Sequence, residues 1–305
     1  MESLKSFDIE DSVTHKRNPV ARSGIRAALV AAAGCAVVQA GPGITGLGPV
    51  RRVTDALLPL SGLGTAKHVA LTFDDGPDQA ATPQFLDELR SRGVRATFFL
   101  LGSQVAMAER LAGRIADEGH EVGVHGWDHR YLPLRGPRST YDDLARARDI
   151  IAQQSGVLPW LFRPPYGVLS GPALVAARML GLTPVLWSSW GREWVPGSTP
   201  ESVLETLTSG RLDGGTVLLH DSGATAPPGS WQAALGALPL LLDECERRGL
   251  RVGPLGEHGP RWQADRAQRP DGPDARSVLT GLAARVRPVA SATIAASRPL
   301  WAPRQ

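Results

Sequence analysis

The chain has 305 residues, 42% of them hydrophobic, which is enough for one large domain with extensions. Its two cysteines, Cys35 and Cys245, form no CxxC pair, which argues against a zinc finger or a disulfide framework. The net charge of +3 is unevenly spread: residues 260–305 hold eight Arg against three Asp, residues 1–50 hold five basic against four acidic residues, and 51–259 is left at −3, so no nucleic-acid surface is expected on the domain.

Residues 1–24 are polar and mixed in charge, the pattern of a disordered extension. Ile25 to Ala40 is Ala- and Val-rich, follows four basic residues and ends in Val38-Gln39-Ala40. That order matches a signal peptide, and a packed helix leading into the domain is the other reading. A secreted or cell-envelope location is slightly favoured over a cytoplasmic one. The run is too short and too weak for a stable membrane span. Gly41 to Ala66 is a Gly- and Pro-rich lead-in, so residues 1–65 are assigned to an N-terminal extension.

From His68 onward strands and helices alternate. The spacing predicts strands over His68–Phe73, Ala96–Leu101, Glu121–Val124, Thr183–Trp187, Thr216–Leu219 and Leu250–Val252, with a short extended run at Leu161–Phe162. Helices are predicted over Pro83–Arg92 with Thr82 as N-cap, Gln104–Glu118, Ser139–Gln154, Pro172–Leu180, Thr199–Ser209 and Ser230–Arg248. Cys245 falls in the last of these and is expected to pack in the core. Such alternation implies a parallel sheet covered by helices, and about seven repeats imply a barrel. The domain is drawn as 66–255, and 256–305 as a basic, Pro- and Arg-rich tail, mostly disordered.

The polar clusters fall just after predicted strands, where barrel enzymes gather their chemistry. Asp74 and Asp75 end the first strand, before Gly76-Pro77. Two adjacent buried carboxylates repel and call for a cation. His125 and His129 are four apart, a spacing that aims two imidazoles at one ion if the segment is helical or tightly turned. With one aspartate they make a two-histidine, one-carboxylate set with an open position for water, leaving the other aspartate to take a proton. Each motif also has a plainer reading: a polar turn for Asp-Asp-Gly-Pro and a surface pair for the histidines. Arg163, before Pro164-Pro165-Tyr166-Gly167, can hold a carboxylate ionised or form a structural ion pair. The backbone fixed by that run suits an N–H used as an oxyanion donor. His220, at the end of a buried strand, can protonate a leaving group. Trp127, Trp187, Trp190, Trp194 and Tyr166 lie in the same loops and could pack, stack on sugar faces, or both.

Over residues 66–255 these motifs resemble the polysaccharide deacetylases of the NodB-homology type, carbohydrate esterase family four. The likeness rests on Thr72-Phe73-Asp74-Asp75-Gly76-Pro77, His125-x-x-x-His129, Arg163-Pro164-Pro165-Tyr166-Gly167 and Leu218-Leu219-His220-Asp221, in order and spacing. It implies a distorted (β/α)7 barrel and hydrolysis of acetyl groups on an acetylated oligo- or polysaccharide, such as a chitooligosaccharide or peptidoglycan, by a metal-bound water. By the same resemblance Asp74 is the general base. Asp75, His125 and His129 hold a divalent metal, zinc foremost, with cobalt or nickel as alternatives. Arg163 holds Asp74, the Tyr166 N–H serves the oxyanion, and His220 is the general acid. One motif departs: where the family has Asp-x-x-Asp-Trp, this chain has Trp190-Gly191-Arg192-Glu193-Trp194. Glu193 then takes the place of the aspartate that orients the acid histidine, one methylene longer, and Trp190 alters the pocket wall. The protein is expected to act as a monomer. A silent glycan-binding protein of this fold and a hydrolase for a non-sugar C–N bond are the alternatives.

Overall fold

The structure, a computed structural model, describes residues 60–267. The apolar stretch Ile25–Ala40, Cys35 and most of the basic tail lie outside them.

The strands are β1 (His68–Asp74), β2 (Thr97–Leu100), β3 (Glu121–Val124), β4 (Leu161–Phe162), β5 (Thr183–Pro184), β6 (Ser189–Trp190), β7 (Thr216–His220) and β8 (Arg251–Gly253). All pair in parallel, in the order β5-β4-β3-β2-β1-β7-β6. β1 pairs with β8 through His68–Ala70 and with β2 through Thr72–Asp74. All seven of its residues are buried, as expected of a central parallel strand covered on both faces. The helices are α1 (Thr82–Ser91), α2 (Gly102–Met107), α3 (Leu111–Asp117), α4 (Pro137–Ser155), α5 (Gly171–Met179), α6 (Pro200–Ser209), α7 (Ser230–Arg247) and α8 (Pro260–Ala267). The sheet curls into an incomplete barrel of the expected α/β kind. Its outer core runs through Phe73, Phe85, Phe98, Ile151, Leu207 and Leu241, with Cys245 buried among them.

Four expectations need correction. The helix predicted over Gln104–Glu118 is two helices, α2 and α3. Arg110 turns left-handed at φ 69°, and the Gln79 side chain caps the Met107 carbonyl at 2.9 Å. No Gly or Pro marks that break in the sequence. The strand predicted over Thr183–Trp187 pairs with β4 only at Thr183 and Pro184. Beyond them the Val185 and Leu186 carbonyls accept from the buried Arg163 guanidinium, at 3.4 and 2.9 Å, instead of continuing a ladder. Thr82 is not the N-cap of α1. Asp78 Oδ1 accepts from the Ala80 and Ala81 N–H groups, and the Thr82 hydroxyl donates to Asp221 Oδ2 at 2.5 Å.

The fourth concerns the edges. Packing continues past 255: His258 and Trp262 are fully buried, and Trp262 Nε1 donates to the Leu63 carbonyl at 3.2 Å. A Cβ on Gly64 would lie 1.9 Å from the His258 carbonyl, so residues 60–65 and 256–267 close over each other beneath β1. Buried aromatic rings this far from the motifs are what the compositional reading of the tail overlooked.

Candidate metal and catalytic site

The carboxyl ends of β1, β3 and β7 bring Asp74, Asp75, His125 and His220 together, because these strands are parallel and adjacent or one apart. In register Asp74 stands directly beside His220. Asp74 and Asp75 are 2% and 1% exposed, so neither is a solvated turn carboxylate. Asp75 steps off the strand in the left-handed region, φ 72°. His129 and Tyr166 share that conformation, at φ 57° and 60°. Non-glycine residues held there cost about 1–3 kcal/mol each and gather where function over-determines the backbone.

The two histidines reach one point by a tight turn rather than a helix. Gly126, at φ 92°, and His129 reverse the chain after β3. Asp143 on α4 pins this turn: its Oδ2 accepts from the Trp127 N–H at 2.9 Å and its Oδ1 from Arg135 at 2.5 Å. His125 Nδ1 sits 2.8 Å from the Arg163 carbonyl, so Nδ1 carries the proton and Nε2 presents its lone pair. His125 Nε2 and His129 Nε2 lie 3.3 and 3.4 Å from Asp75 Oδ1. Asp75, His125 and His129 are the group among the described residues with metal-ligand geometry, their donor atoms within 4.8 Å of one another. Asp75 Oδ1 is buried without a hydrogen bond. A buried carboxylate oxygen left unpaired is costly unless something charged completes it. Two imidazole nitrogens and one carboxylate oxygen, converging within 4.8 Å of one another, fit a divalent cation.

The electrostatics agree. Burial alone would raise the Asp75 pKa, but His129, His125 and His220 hold it well below the usual carboxylate range. Burial pushes His129 down to about 4, which keeps it neutral at pH 7 as a ligand must be. His125 is pulled the other way: burial opposes its charge, and Asp74 and Asp75 outweigh that and raise it.

Arg163 is wholly buried, with its guanidinium 4.1 Å above the Phe99 ring. Nη1 donates to Asp74 Oδ1 and to Thr72 Oγ1, each at 2.7 Å. Asp74 Oδ2 is left facing His125 Nε2 at 3.8 Å. On the opposite wall, Glu193 Oε1 accepts from the His220 backbone N–H at 2.6 Å and lies 2.8 Å from its Nδ1. The longer side chain therefore spans the place of the usual aspartate. Burial disfavours the charged His220 ring, yet Glu193, then Asp75 and Asp74, carry its pKa up to about 9. Trp187, Trp190, Trp194 and His220 form a chain of rings 5.2–5.8 Å apart. Tyr166 meets His129 edge-on at 4.4 Å. Trp127 stands apart, packed on Gly102 beneath Arg146.

Sequence reasoning assigned no role to Thr72, Asp143, Asp221 or Thr225. Asp221 is buried and pushed up to about 7 by that burial, with the Thr82 hydroxyl as its partner. Its position directly after His220 was the one available signal.

Residues 62–185 match the family model described as polysaccharide deacetylase. A chitooligosaccharide deacetylase of Bradyrhizobium is 36% identical over 199 residues, which covers 62% of this chain and 89% of that protein. A peptidoglycan-N-acetylglucosamine deacetylase of Bacillus cereus is 34% identical over 195 residues, 63% of this chain and 87% of that protein. A Listeria monocytogenes protein of the same name is 38% identical over 157 residues, 52% of this chain, and the match spans 33% of its length. Among solved structures, a peptidoglycan N-acetylglucosamine deacetylase superposes with a TM-score of 0.62 at 28% identity, over 68% of this chain and 95% of its own. A family 4 carbohydrate esterase of Streptomyces lividans, in complex with acetate, gives 0.55 at 29% identity, over 62% and 93%.

Proposed function

The chain belongs to the polysaccharide deacetylase family, and from that premise we propose that it is a metal-dependent hydrolase that removes acetyl groups from an N-acetylglucosamine-containing glycan. The observation that carries this reading is Asp75 Oδ1, buried, without a hydrogen bond, and facing the Nε2 atoms of His125 and His129. In this reading those three residues hold the ion, zinc first and cobalt or nickel next. The bound ion supplies Lewis acidity and brings the pKa of a water toward neutrality.

The chain's own groups do the rest. Asp74 is the base: Arg163 occupies Oδ1, which leaves Oδ2 to take the proton of the attacking water. Burial lowers the Arg163 pKa, and the Asp74 carboxylate beside it opposes that shift. His220 is the acid: Glu193 holds Nδ1, which leaves Nε2 to protonate the departing amine. The Tyr166 N–H, fixed by the left-handed turn, is assigned to the oxyanion. Tyr131, Tyr166 and Trp190 are each 40% or more exposed and offer flat apolar faces to sugar rings.

The catalytic unit is assigned to residues 60–267, wider than 66–255 by the buried flanks. Peptidoglycan, named for two of the relatives above, is cell-envelope material, which favours an envelope or secreted location here. Among the described residues no helix is long and apolar enough to cross a membrane. The test is acetate release from chitooligosaccharides, peptidoglycan and acetylxylan, with and without chelator. Chelator-sensitive release from the N-acetylated substrates is expected. Sugar binding without release under every metal tried would replace the enzyme with a glycan-binding protein.

A further inference from the structure

The loop between β7 and α7 carries a hydroxyl that none of the motifs contains. Thr225 Oγ1 donates a hydrogen bond to Asp75 Oδ2 across 150 residues of sequence. The loop that delivers it is anchored on both sides. Before it, Asp221 accepts from the Thr82 hydroxyl at 2.5 Å, and Ser222 Oγ accepts from the Ala224 N–H at 3.0 Å. After it, Pro227 and Pro228 lead into α7, and the Ser230 N–H closes on the Pro227 carbonyl at 3.1 Å. Thr225 is thus carried on a braced span.

The consequence is that the two oxygens of Asp75 are unlike. Oδ1 has no hydrogen-bond partner and faces both imidazoles. Oδ2 holds the Thr225 hydroxyl and lies 3.8 Å from His220 Nε2. A carboxylate free to turn about its Cβ–Cγ bond could present either oxygen, or both, to a cation. One with Oδ2 engaged presents Oδ1 alone. An unengaged Oδ2 would also be the nearest strong acceptor on Asp75 for a proton on His220 Nε2, the proton the reaction needs for the leaving group.

We propose that Thr225 is a positioning residue of the metal site: its hydroxyl fixes Asp75 as a one-oxygen ligand and keeps Oδ2 from drawing on His220. This rests on the metal reading of Asp75, His125 and His129 given above. Groups that hydrogen-bond to metal ligands fix their orientation, and their loss typically weakens metal binding by roughly 10–100-fold.

The experiment measures zinc affinity of the full chain without substrate, by competition with a chromophoric chelator, in wild type, Thr225→Val, Thr225→Ser and His125→Ala. Valine keeps the branched shape and loses the hydroxyl, so zinc binding should weaken by about 10–100-fold. Serine keeps the hydroxyl and should bind near the wild-type strength. In the cobalt-loaded proteins the visible bands should move in the valine variant and stay in place in the serine variant. Should the valine variant fail to fold, Thr225→Ala, which only removes atoms, makes the same contrast. Wild-type zinc affinity and cobalt spectrum in Thr225→Val, with binding lost in His125→Ala, would overturn the role of Thr225 alone. Equal zinc binding by wild type and His125→Ala would overturn the metal reading and this inference with it.

Discussion

β1 carries a buried cluster of histidines at each end, and the two clusters are put together differently. At its carboxyl end, His125 and His129 point their Nε2 atoms at one oxygen of Asp75 that has no hydrogen-bond partner. At its amino end, His68 Nδ1 and His258 Nδ1 lie 2.7 Å apart, so one imidazole donates to the other, while His258 Nε2 is also buried without a hydrogen-bond partner. Both ends are largely buried, and burial depresses the pKa of His68 and of His258, the latter to about 4. Shared burial therefore does not separate a site from a structural contact. Three ligand atoms that converge within 4.8 Å of one another do. At the carboxyl end two of the converging residues themselves, Asp75 and His129, are left-handed; at the amino end that conformation falls on Lys67, beside the contact, and His68 is strand.

The contrast can be broken most directly at the carboxyl end. His125→Ala should abolish both metal binding and acetate release, as read by metal analysis of dialysed protein beside the assay. Asp74→Asn should lower kcat/KM by roughly 10²–10⁴-fold while the metal content stays at the wild-type level. Retained turnover in that variant would remove Asp74 from its assigned role.

Glu193→Gln keeps the reach to His220 and deletes the charge. Loss of an anion beside an imidazole lowers its pKa, so the fall of activity at high pH should begin at lower pH than in wild type. A drop in kcat of roughly 10-fold, at the low end for acid–base groups, should accompany it, with metal content unchanged. An unshifted basic limb would show that Glu193 does not govern His220.

The effect at the amino end is on stability and has no catalytic signature. His258 is neutral in the folded protein down to about pH 4, whereas an unfolded histidine titrates near 6.5. Between those values the unfolded chain binds more protons, so stability should fall as the pH drops from 6.5 toward 4 and level off below. The loss should be of order 2–3 kcal/mol. Denaturant melts across that range should have a shallower pH slope in His258→Asn, and chelator should not alter the difference.

Much of this was legible before any coordinates. The strand ending in Asp74-Asp75, the His125 and His129 spacing, Arg163 and His220 were all visible as short polar clusters placed directly after predicted strands. Elements with a clean apolar period, such as α1 and α7, fell within a residue or two of prediction. What failed had no local signal. The early end of β5 follows from carbonyls turned inward to a guanidinium that enters from residue 163. The division between α2 and α3 depends on Gln79, more than twenty residues upstream. Thr225 sits in a Gly-, Ala- and Pro-rich stretch that reads as a plain loop.

The amino-acid order by itself determined which chemical groups the protein owns and that parallel strands would end on them, because strand periodicity and turn residues act over a few neighbours. Tertiary structure decided how each group is used. Whether a carboxylate oxygen is paired or bare, and whether Glu193 spans to His220, depend on partners dozens to 150 residues away. Hydrogen bonds and charges act through space at about 3 Å, and distance along the chain carries no information about them until the barrel has curled.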